Sequence, residues 1–163
     1  MDKPKIYLET TMFSFYHENR PHEEYQKYKI QARRVFDLIK AGKYEAYTSI
    51  LATDEIDNES NPEKRENMWR LITDYSVKIL PANDDEVKRI ANLYIQEGAV
   101  SSAYETDAAH IAITTVNGLD FIVSFNFTHI VRIWTIEKVR RVNARENYQG
   151  IGIYKPVEVL EEL

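Results

Sequence analysis

The sequence predicts an α/β fold in which a parallel β-sheet carries helices on both faces. Short apolar runs typical of strands alternate along the chain with segments whose apolar residues recur every three or four positions. One of these runs, at residues 121–123, is apolar throughout, as expected of a parallel strand that is covered on both faces. We expect the crossovers between such strands to be right-handed.

The first part of the chain predicts two strands and three helices. A β-branched and aromatic run that ends at polar residues predicts a strand at residues 6–8, and alternation of polar and apolar residues predicts a second strand at 44–48. Residues 21–41 have the spacing of an amphipathic helix. Further helices are predicted at 49–58 and at 62–74, where a proline occupies the first turn.

The middle of the chain predicts a strand followed by two helices. Residues 77–80 form a short apolar and β-branched run that a proline closes. Either Asp84 or Asp85 can cap the helix that follows. The next helix, at residues 107–117, is apolar on almost all sides, which indicates burial, and Thr106 is its predicted N-cap.

The last part of the chain predicts the two remaining strands. One is the run at residues 121–123, and the other is a short strand at 151–154. A helical segment is expected between them, from about 128 to 145. Because no internal repeat or linker is visible, we expect one domain that spans residues 1–163.

The composition excludes several classes of protein. The chain of 163 residues is 44% hydrophobic and 29% charged, and no apolar run approaches the roughly 18 residues of a membrane-spanning helix. The first residues lack the apolar stretch of a signal peptide, so we expect a cytoplasmic protein without a membrane partner. Because the chain contains no cysteine, it cannot form disulfides, thiolate zinc sites or iron–sulfur clusters. The five glycines match no phosphate-binding loop, which disfavours a nucleotide cofactor.

Four polar residues are predicted to meet at the carboxyl edge of the sheet, where ligands bind in folds of this class. Glu9 follows the first strand and Asn126 follows the fourth, while Asp107 opens the buried helix that precedes the fourth strand. Glu55 lies on the helix after the second strand, which begins beside the same edge. Three carboxylates and an amide oxygen suit Mg²⁺ or Mn²⁺. We therefore predict that the three carboxylates are catalytic metal ligands, with Asn126 as an outer ligand, in a site for metal-assisted hydrolysis.

Structural roles for the same residues compete with this interpretation. Asp107 is favourable in the first turn of a helix through the helix dipole, and Glu55 lies in an acidic helix face that can simply be solvated. Asn126 can be a turn or cap residue. His110 has no paired metal-ligand spacing and is predicted to make a structural hydrogen bond. A Ser-His-Asp hydrolase is disfavoured because the chain has no G-x-S-x-G motif.

The net charge of −5 disfavours a nucleic-acid partner only if the charges are evenly spread. Between residues 132 and 145, however, five basic residues accompany a single acidic one, which indicates a basic stripe. Arg132, Arg140 and Arg141 are the candidate phosphate-binding residues of this stripe. An ordinary solvated helix face is the alternative.

Four segments of the chain resemble the PIN-domain family of metal-dependent nucleases, which includes the VapC-type toxins of toxin–antitoxin pairs. These segments are residues 6–11, 48–56, 106–112 and 120–127, with the sequences IYLETT, TSILATDEI, TDAAHIA and DFIVSFNF. Each motif alone is weak, but their common order along the chain is fairly specific. The resemblance covers the whole domain.

This resemblance implies a three-layer α/β/α sandwich around a parallel five-stranded sheet, a Mg²⁺ or Mn²⁺ cofactor, and cleavage of single-stranded or structured RNA. Glu55 matches the family's helical glutamate, and Asp107 matches its helix-opening aspartate. The resemblance also implies RNA as a partner and, for the toxin of a toxin–antitoxin pair, an antitoxin protein. We further expect a homodimer, for which the eleven tyrosines offer surface material.

Two positions depart from the family pattern. The family generally has aspartate where Glu9 stands and commonly a carboxylate at the position of Asn126. The longer side chain of Glu9 displaces its carboxylate by about one bond length, whereas catalytic geometry tolerates only about 0.5 Å. Two hypotheses therefore stay open: a Mg²⁺- or Mn²⁺-dependent ribonuclease, and a catalytically impaired PIN-like module that binds nucleic acid or protein.

Overall fold

Five parallel strands form the centre of the computed structural model, which describes residues 2–161. The strands are β1 (Lys5–Leu8), β2 (Glu45–Ser49), β3 (Lys78–Leu80), β4 (Phe121–Val123) and β5 (Gly152–Tyr154). The helices are α1 (Thr10–Tyr16), α2 (Glu23–Lys40), α3 (Ile50–Asp57), α4 (Pro62–Asp74), α5 (Asp85–Gln96), α6 (Glu105–Val116), α7 (Ile133–Arg145) and α8 (Pro156–Glu161), with a short 3₁₀ helix at Ser102–Tyr104. All five predicted strands are present, each within one residue of its predicted bounds.

The order of the strands in the sheet is β3-β2-β1-β4-β5, and all four pairings are parallel. The chain extends from β1 through β2 to β3 on one side, and then places β4 and β5 on the other side of β1. The strand order therefore reverses between β1 and β4, which is the place where ligands bind in open parallel sheets.

Side chains of the central strands alternate between two apolar clusters, one on each face of the sheet. In β1, Ile6 and Leu8 belong to one cluster with residues of α1, α2 and α4, whereas Tyr7 belongs to the other with residues of α5, α6 and α7. The residues of β4 divide in the same way. The predicted three-layer α/β/α sandwich is thus confirmed.

Three local expectations differ from the structure. The helix expected from about residue 128 begins only at Ile133, because Arg132 is extended (φ −145°, ψ 150°) and residues 127–130 form turns. Thr106 is not an N-cap, since the preceding 3₁₀ helix makes Tyr104 the residue before α6. The short helices α1 and α8 were not predicted, and α1 follows Glu9 directly.

None of the helices in residues 2–161 combines the length and the apolarity needed to cross a bilayer.

A buried polar triad ties α5, α6 and α7 together on one face of the sheet. The hydroxyl of Tyr94 donates to Oδ1 of Asn143 at 2.6 Å and lies 2.8 Å from the hydroxyl oxygen of Thr115. The amide nitrogen of Asn143 also donates to Thr115, at 3.1 Å. Each side chain of the triad therefore contacts the other two, and removal of one hydroxyl leaves buried partners without a hydrogen bond.

We predict that Tyr94→Phe lowers the free energy of unfolding by about 1–3 kcal/mol, because Oδ1 of Asn143 loses its buried donor. Urea unfolding followed by circular dichroism measures this change. Tyr104→Phe is the matched control, since Tyr104 is 44% exposed, and we expect a change within about 0.5 kcal/mol. Equal stability of the two variants would contradict the account of the triad.

Candidate metal centre

The carboxylate of Glu9 lies at the carboxyl ends of β1 and β4, where the strand order reverses. Its Oε1 accepts hydrogen bonds from the Ser124 hydroxyl at 2.6 Å, the Thr11 hydroxyl at 2.5 Å and the Thr11 backbone N–H at 3.2 Å. The side chain thereby caps α1, and the residue is only 3% exposed. A buried carboxylate with this many donors is held in one orientation.

A second chain of hydrogen bonds reaches the same edge of the sheet from the face that α6 covers. The hydroxyl of Tyr7 lies 2.7 Å from the hydroxyl oxygen of Ser49 and 2.6 Å from Nδ1 of His110. The other ring nitrogen of His110, Nε2, lies 2.7 Å from Oε1 of Glu55. Glu55 also accepts a hydrogen bond from the hydroxyl of Thr10 at 3.0 Å. These contacts connect β1, β2, α3 and α6 around one point.

Glu9, Glu55 and His110 form a cluster that can hold a metal ion. One ligand atom from each of the three residues lies within 4.8 Å of the others. In residues 2–161, no hydrogen-bond donor reaches Oε2 of either glutamate, because every bond to the two carboxylates ends on Oε1. Each glutamate therefore keeps one oxygen available for a cation while the other oxygen fixes its orientation.

Burial raises the pKa of the Glu9 carboxyl, although the positive charge of His110 and the hydrogen bonds from Ser124 and Thr11 oppose that shift. Burial also raises the pKa of Asp107, opposed by the charges of His110 and His129 and by a hydrogen bond from Asn126. For both groups the negative charge of Glu55 adds to the increase. Burial, the largest cause of both shifts, therefore favours the neutral form of each carboxyl group.

His110 supplies the positive charge nearest to these carboxylates. Burial lowers its pKa, but the hydrogen bond that His110 donates to Glu55 and the charges of Glu9, Glu55 and Asp107 outweigh burial, so the pKa is raised. Burial raises the pKa of Glu55, yet the hydrogen bond and charge of His110 hold that pKa below its ordinary value. The imidazole and the carboxylate therefore stabilise each other's charged forms.

Asp107 and Asn126 lie beside this cluster rather than within it. Asp107 is half-buried in the first turn of α6, three residues before His110 and on the same face of the helix. Asn126 accepts the backbone N–H of His129 through Oδ1 at 3.0 Å, which is the turn role that competes with metal binding. Asp107 thus adds a third carboxylate to the site, and the oxygen of Asn126 already has a partner.

The three candidate phosphate-binding arginines differ in their surroundings. Arg132 is partly buried and is held by hydrogen bonds to the hydroxyl of Thr135 at 2.8 Å and to the backbone oxygen of Ala99 at 3.5 Å. Arg140 and Arg141 are exposed on α7, and in residues 2–161 neither forms an ion pair. Of the three arginines, Arg140 and Arg141 can therefore contact a ligand without breaking an ion pair.

His110 is the one member of the cluster that sequence reasoning did not include. The expected structural hydrogen bond of this residue is confirmed, but its partners, Tyr7 and Glu55, lie 103 and 55 residues away in the chain. The position three residues after Asp107, on the same helix face, is a signal in the sequence that points to a shared site.

No protein-family model matches the chain, and no curated protein is significantly similar to it.

We predict that Mn²⁺ raises the melting temperature of the protein and that Glu55→Gln removes most of the increase. At a free metal concentration 100 times Kd, binding to the folded state contributes about 2.7 kcal/mol, which corresponds to an increase of about 5–10 °C for a chain of this size. Thermal unfolding with and without Mn²⁺ measures the effect. Asp54→Asn is the matched control, because it removes one negative charge from the exposed neighbour of Glu55 on α3.

The same measurement has a defined pH dependence. Because the pKa of Glu9 is raised, protons compete with a cation for this carboxylate more strongly than for an ordinary glutamate. The increase caused by Mn²⁺ is therefore larger at pH 7.5 than at pH 5. An equal increase in Glu55→Gln and wild type would show that Mn²⁺ binds elsewhere.

Proposed function

We propose that this protein is a PIN-like ribonuclease that hydrolyses RNA phosphodiester bonds with Mg²⁺ or Mn²⁺. The observation that carries the proposal is the cluster of Glu9, Glu55 and His110 at the point where the strand order reverses, with Asp107 beside it. The resemblance of four segments to PIN-domain nucleases supports the same activity.

The donor atoms favour a hard divalent cation. Both ring nitrogens of His110 already have hydrogen-bond partners, Tyr7 and Glu55, so the imidazole can ligate only by giving up one of them. The donors that are free of hydrogen bonds are carboxylate oxygens, the atoms that Mg²⁺ and Mn²⁺ prefer. We therefore assign His110 as the residue that positions Glu55, with Glu9 and Glu55 as the ligands.

Metal-assisted hydrolysis requires a cation, a held water molecule and a bound phosphodiester. A divalent cation lowers the pKa of a bound water and neutralises the charge that develops on a phosphodiester. Ser124 and Thr11 orient the carboxylate of Glu9, and His110 orients that of Glu55. Asp107, whose pKa is raised by burial, can accept a proton from water at the same edge.

The exposed residues Arg140 and Arg141 are the proposed contacts to the RNA backbone. Arg132 belongs to the same basic stripe, but its guanidinium already bonds to Thr135 and to the backbone oxygen of Ala99. Its proposed role is therefore to hold these segments together. Four further features stay predictions, because they rest only on the sequence and on the family resemblance. These are the role of a toxin, an antitoxin protein as partner, a homodimer and a cytoplasmic location.

A second candidate is a PIN-like module that binds nucleic acid or protein without cleaving RNA. The specific observation in its favour is the state of the two positions that depart from the family pattern. Three donors occupy one oxygen of Glu9, and the oxygen of Asn126 accepts the N–H of His129. Both groups thus have structural roles that do not require a metal.

We predict that the wild-type protein cleaves a labelled single-stranded RNA in the presence of Mn²⁺, and that Asp107→Asn and Glu55→Gln each slow cleavage by about 100-fold or more. The reason is that each substitution removes a charge that holds the cation or accepts a proton. Denaturing electrophoresis of timed samples measures the rates, and Asp54→Asn should cleave at the wild-type rate. Removal of the metal by a chelator should stop cleavage in every case.

Equal cleavage by wild type and Asp107→Asn, or no cleavage with any of several divalent metals, would rule out the catalytic proposal. RNA binding without cleavage, unchanged by Glu55→Gln, would then support the binding module instead.

A further inference from the structure

Two aromatic rings are stacked on the surface beside the candidate metal centre. The rings of Tyr104 and His129 lie with centroids 3.6 Å apart and planes inclined by 24°. Tyr104 is 44% exposed, in the short 3₁₀ helix that precedes α6. A stacked ring that water reaches is a ready surface for another flat ring.

A third aromatic side chain is held on the adjoining turn of α7. Trp134 is 57% exposed, and its indole N–H donates to the backbone oxygen of Gly98 at 3.2 Å. The ammonium of Lys138 lies 4.0 Å from the centre of the Trp134 ring and donates to the backbone oxygen of Glu97. The indole is therefore fixed in place and carries a positive charge at its face.

Hydrogen bonds join the segments that carry these two aromatic groups. The hydroxyl of Thr135 donates to the backbone oxygen of Ala99 at 2.8 Å and lies 3.4 Å from that of His129. Thr135 thereby joins the loop beside Trp134 to the loop that carries His129. We call the surface formed by Tyr104, His129 and Trp134, with Lys138, the aromatic surface.

The aromatic surface adjoins the candidate metal centre. Ser124, which donates to Glu9, and His129 both lie in the segment that follows β4. The backbone N–H of His129 is held by Asn126, at the carboxyl end of β4. A strand of RNA that reaches the carboxylates therefore passes close to the stacked rings.

We propose that the aromatic surface binds unpaired nucleobases of single-stranded RNA by stacking, and so determines that the protein acts on unpaired RNA. The proposal rests on the proposed ribonuclease function for its ligand. Exposed rings next to basic side chains are the usual means of binding single strands, since every base offers a flat face and every nucleotide carries a phosphate. A duplex, whose bases are already stacked, has no free ring faces to offer here.

Charge favours RNA over a second copy of the chain as the occupant. Lys138 lies at the Trp134 ring, and Arg140 and Arg141 are exposed on the same helix. The protein as a whole has a net charge of −5, but between residues 132 and 145 five basic residues accompany one acidic residue, Glu137. A polyanion with flat rings complements both features of the surface.

The test measures RNA binding in the presence of a chelator, which removes divalent metal so that no cleavage takes place. The probe is a fluorescein-labelled 12-residue oligouridylate, and a 12-residue ribose-phosphate oligomer without bases is the comparison. Fluorescence anisotropy gives the dissociation constants for wild type, Tyr104→Ala, Tyr104→Phe and Trp134→Ala. Ile30→Ala is the control, because Ile30 is an exposed apolar residue on α2.

We expect Tyr104→Ala and Trp134→Ala each to weaken oligouridylate binding by about 5- to 100-fold. Tyr104→Phe, which keeps the ring, and Ile30→Ala should bind within about twofold of wild type. The oligomer without bases should bind wild type and Tyr104→Ala equally weakly, because it can make only phosphate contacts. Melting temperatures of all variants show that the fold is intact.

Wild-type affinity in Tyr104→Ala, or equal wild-type affinity for the two oligomers, would overturn the proposal. A change of oligomeric state in Tyr104→Ala or Trp134→Ala, without a change in oligouridylate binding, would also overturn it and assign the surface to contacts between copies. Base-dependent binding in a protein that cleaves no RNA would instead overturn the ribonuclease function and leave the aromatic surface standing.

Discussion

The buried carboxylate of Glu9 is the constraint on which the rest of the site depends. A carboxylate that is only 3% exposed is costly unless it is hydrogen-bonded or paired with a positive charge. Ser124 and Thr11 provide the hydrogen bonds, and the charge of His110 provides part of the neutralisation. Glu55 and Asp107 add two further carboxyl groups at this edge of the sheet, where a divalent cation would stabilise their ionised forms.

The strand order explains why these residues meet. Glu9 and Ser124 are 115 residues apart, yet they follow neighbouring parallel strands, and parallel strands end at a common edge. His110 enters from α6 with Tyr7 behind it and Glu55 in front of it, so that three segments hold one imidazole. The apolar interior on both faces of the sheet keeps that arrangement in place. The topology therefore brings these residues together. The local sequence determines only which side chains stand at the ends of the strands.

Local patterns in the sequence were sufficient to predict the strands and most helices. The apolar run at residues 121–123 and the proline-initiated helix at 62–74 match the structure in both bounds. Topology also predicted that Glu9 and Glu55 converge, because both follow strands at the carboxyl edge. The helix α1 was missed because it has only seven residues, too few for a clear period of 3.6.

The rest of the site depends on contacts between distant segments. His110 lies on a helix that is apolar all round, and nothing near it in the chain indicates that Glu55 is its partner. Asn126 carries an oxygen suited to a metal, but the turn that follows β4 directs this oxygen to a backbone N–H. The turn also delays the start of α7 to Ile133. Packing thus decides the orientation of His110, whereas the local turn after β4 decides that of Asn126.

The central claim is that Glu9 and Glu55 together bind one divalent cation. The most direct measurement is a crystal structure of the protein soaked in Mn²⁺, with the anomalous signal of manganese recorded. The account predicts one strong anomalous peak within bonding distance, about 2.0–2.3 Å, of oxygens from both glutamates. Manganese bound elsewhere on the surface, with unchanged hydrogen bonds and no peak between the two carboxylates, would contradict it.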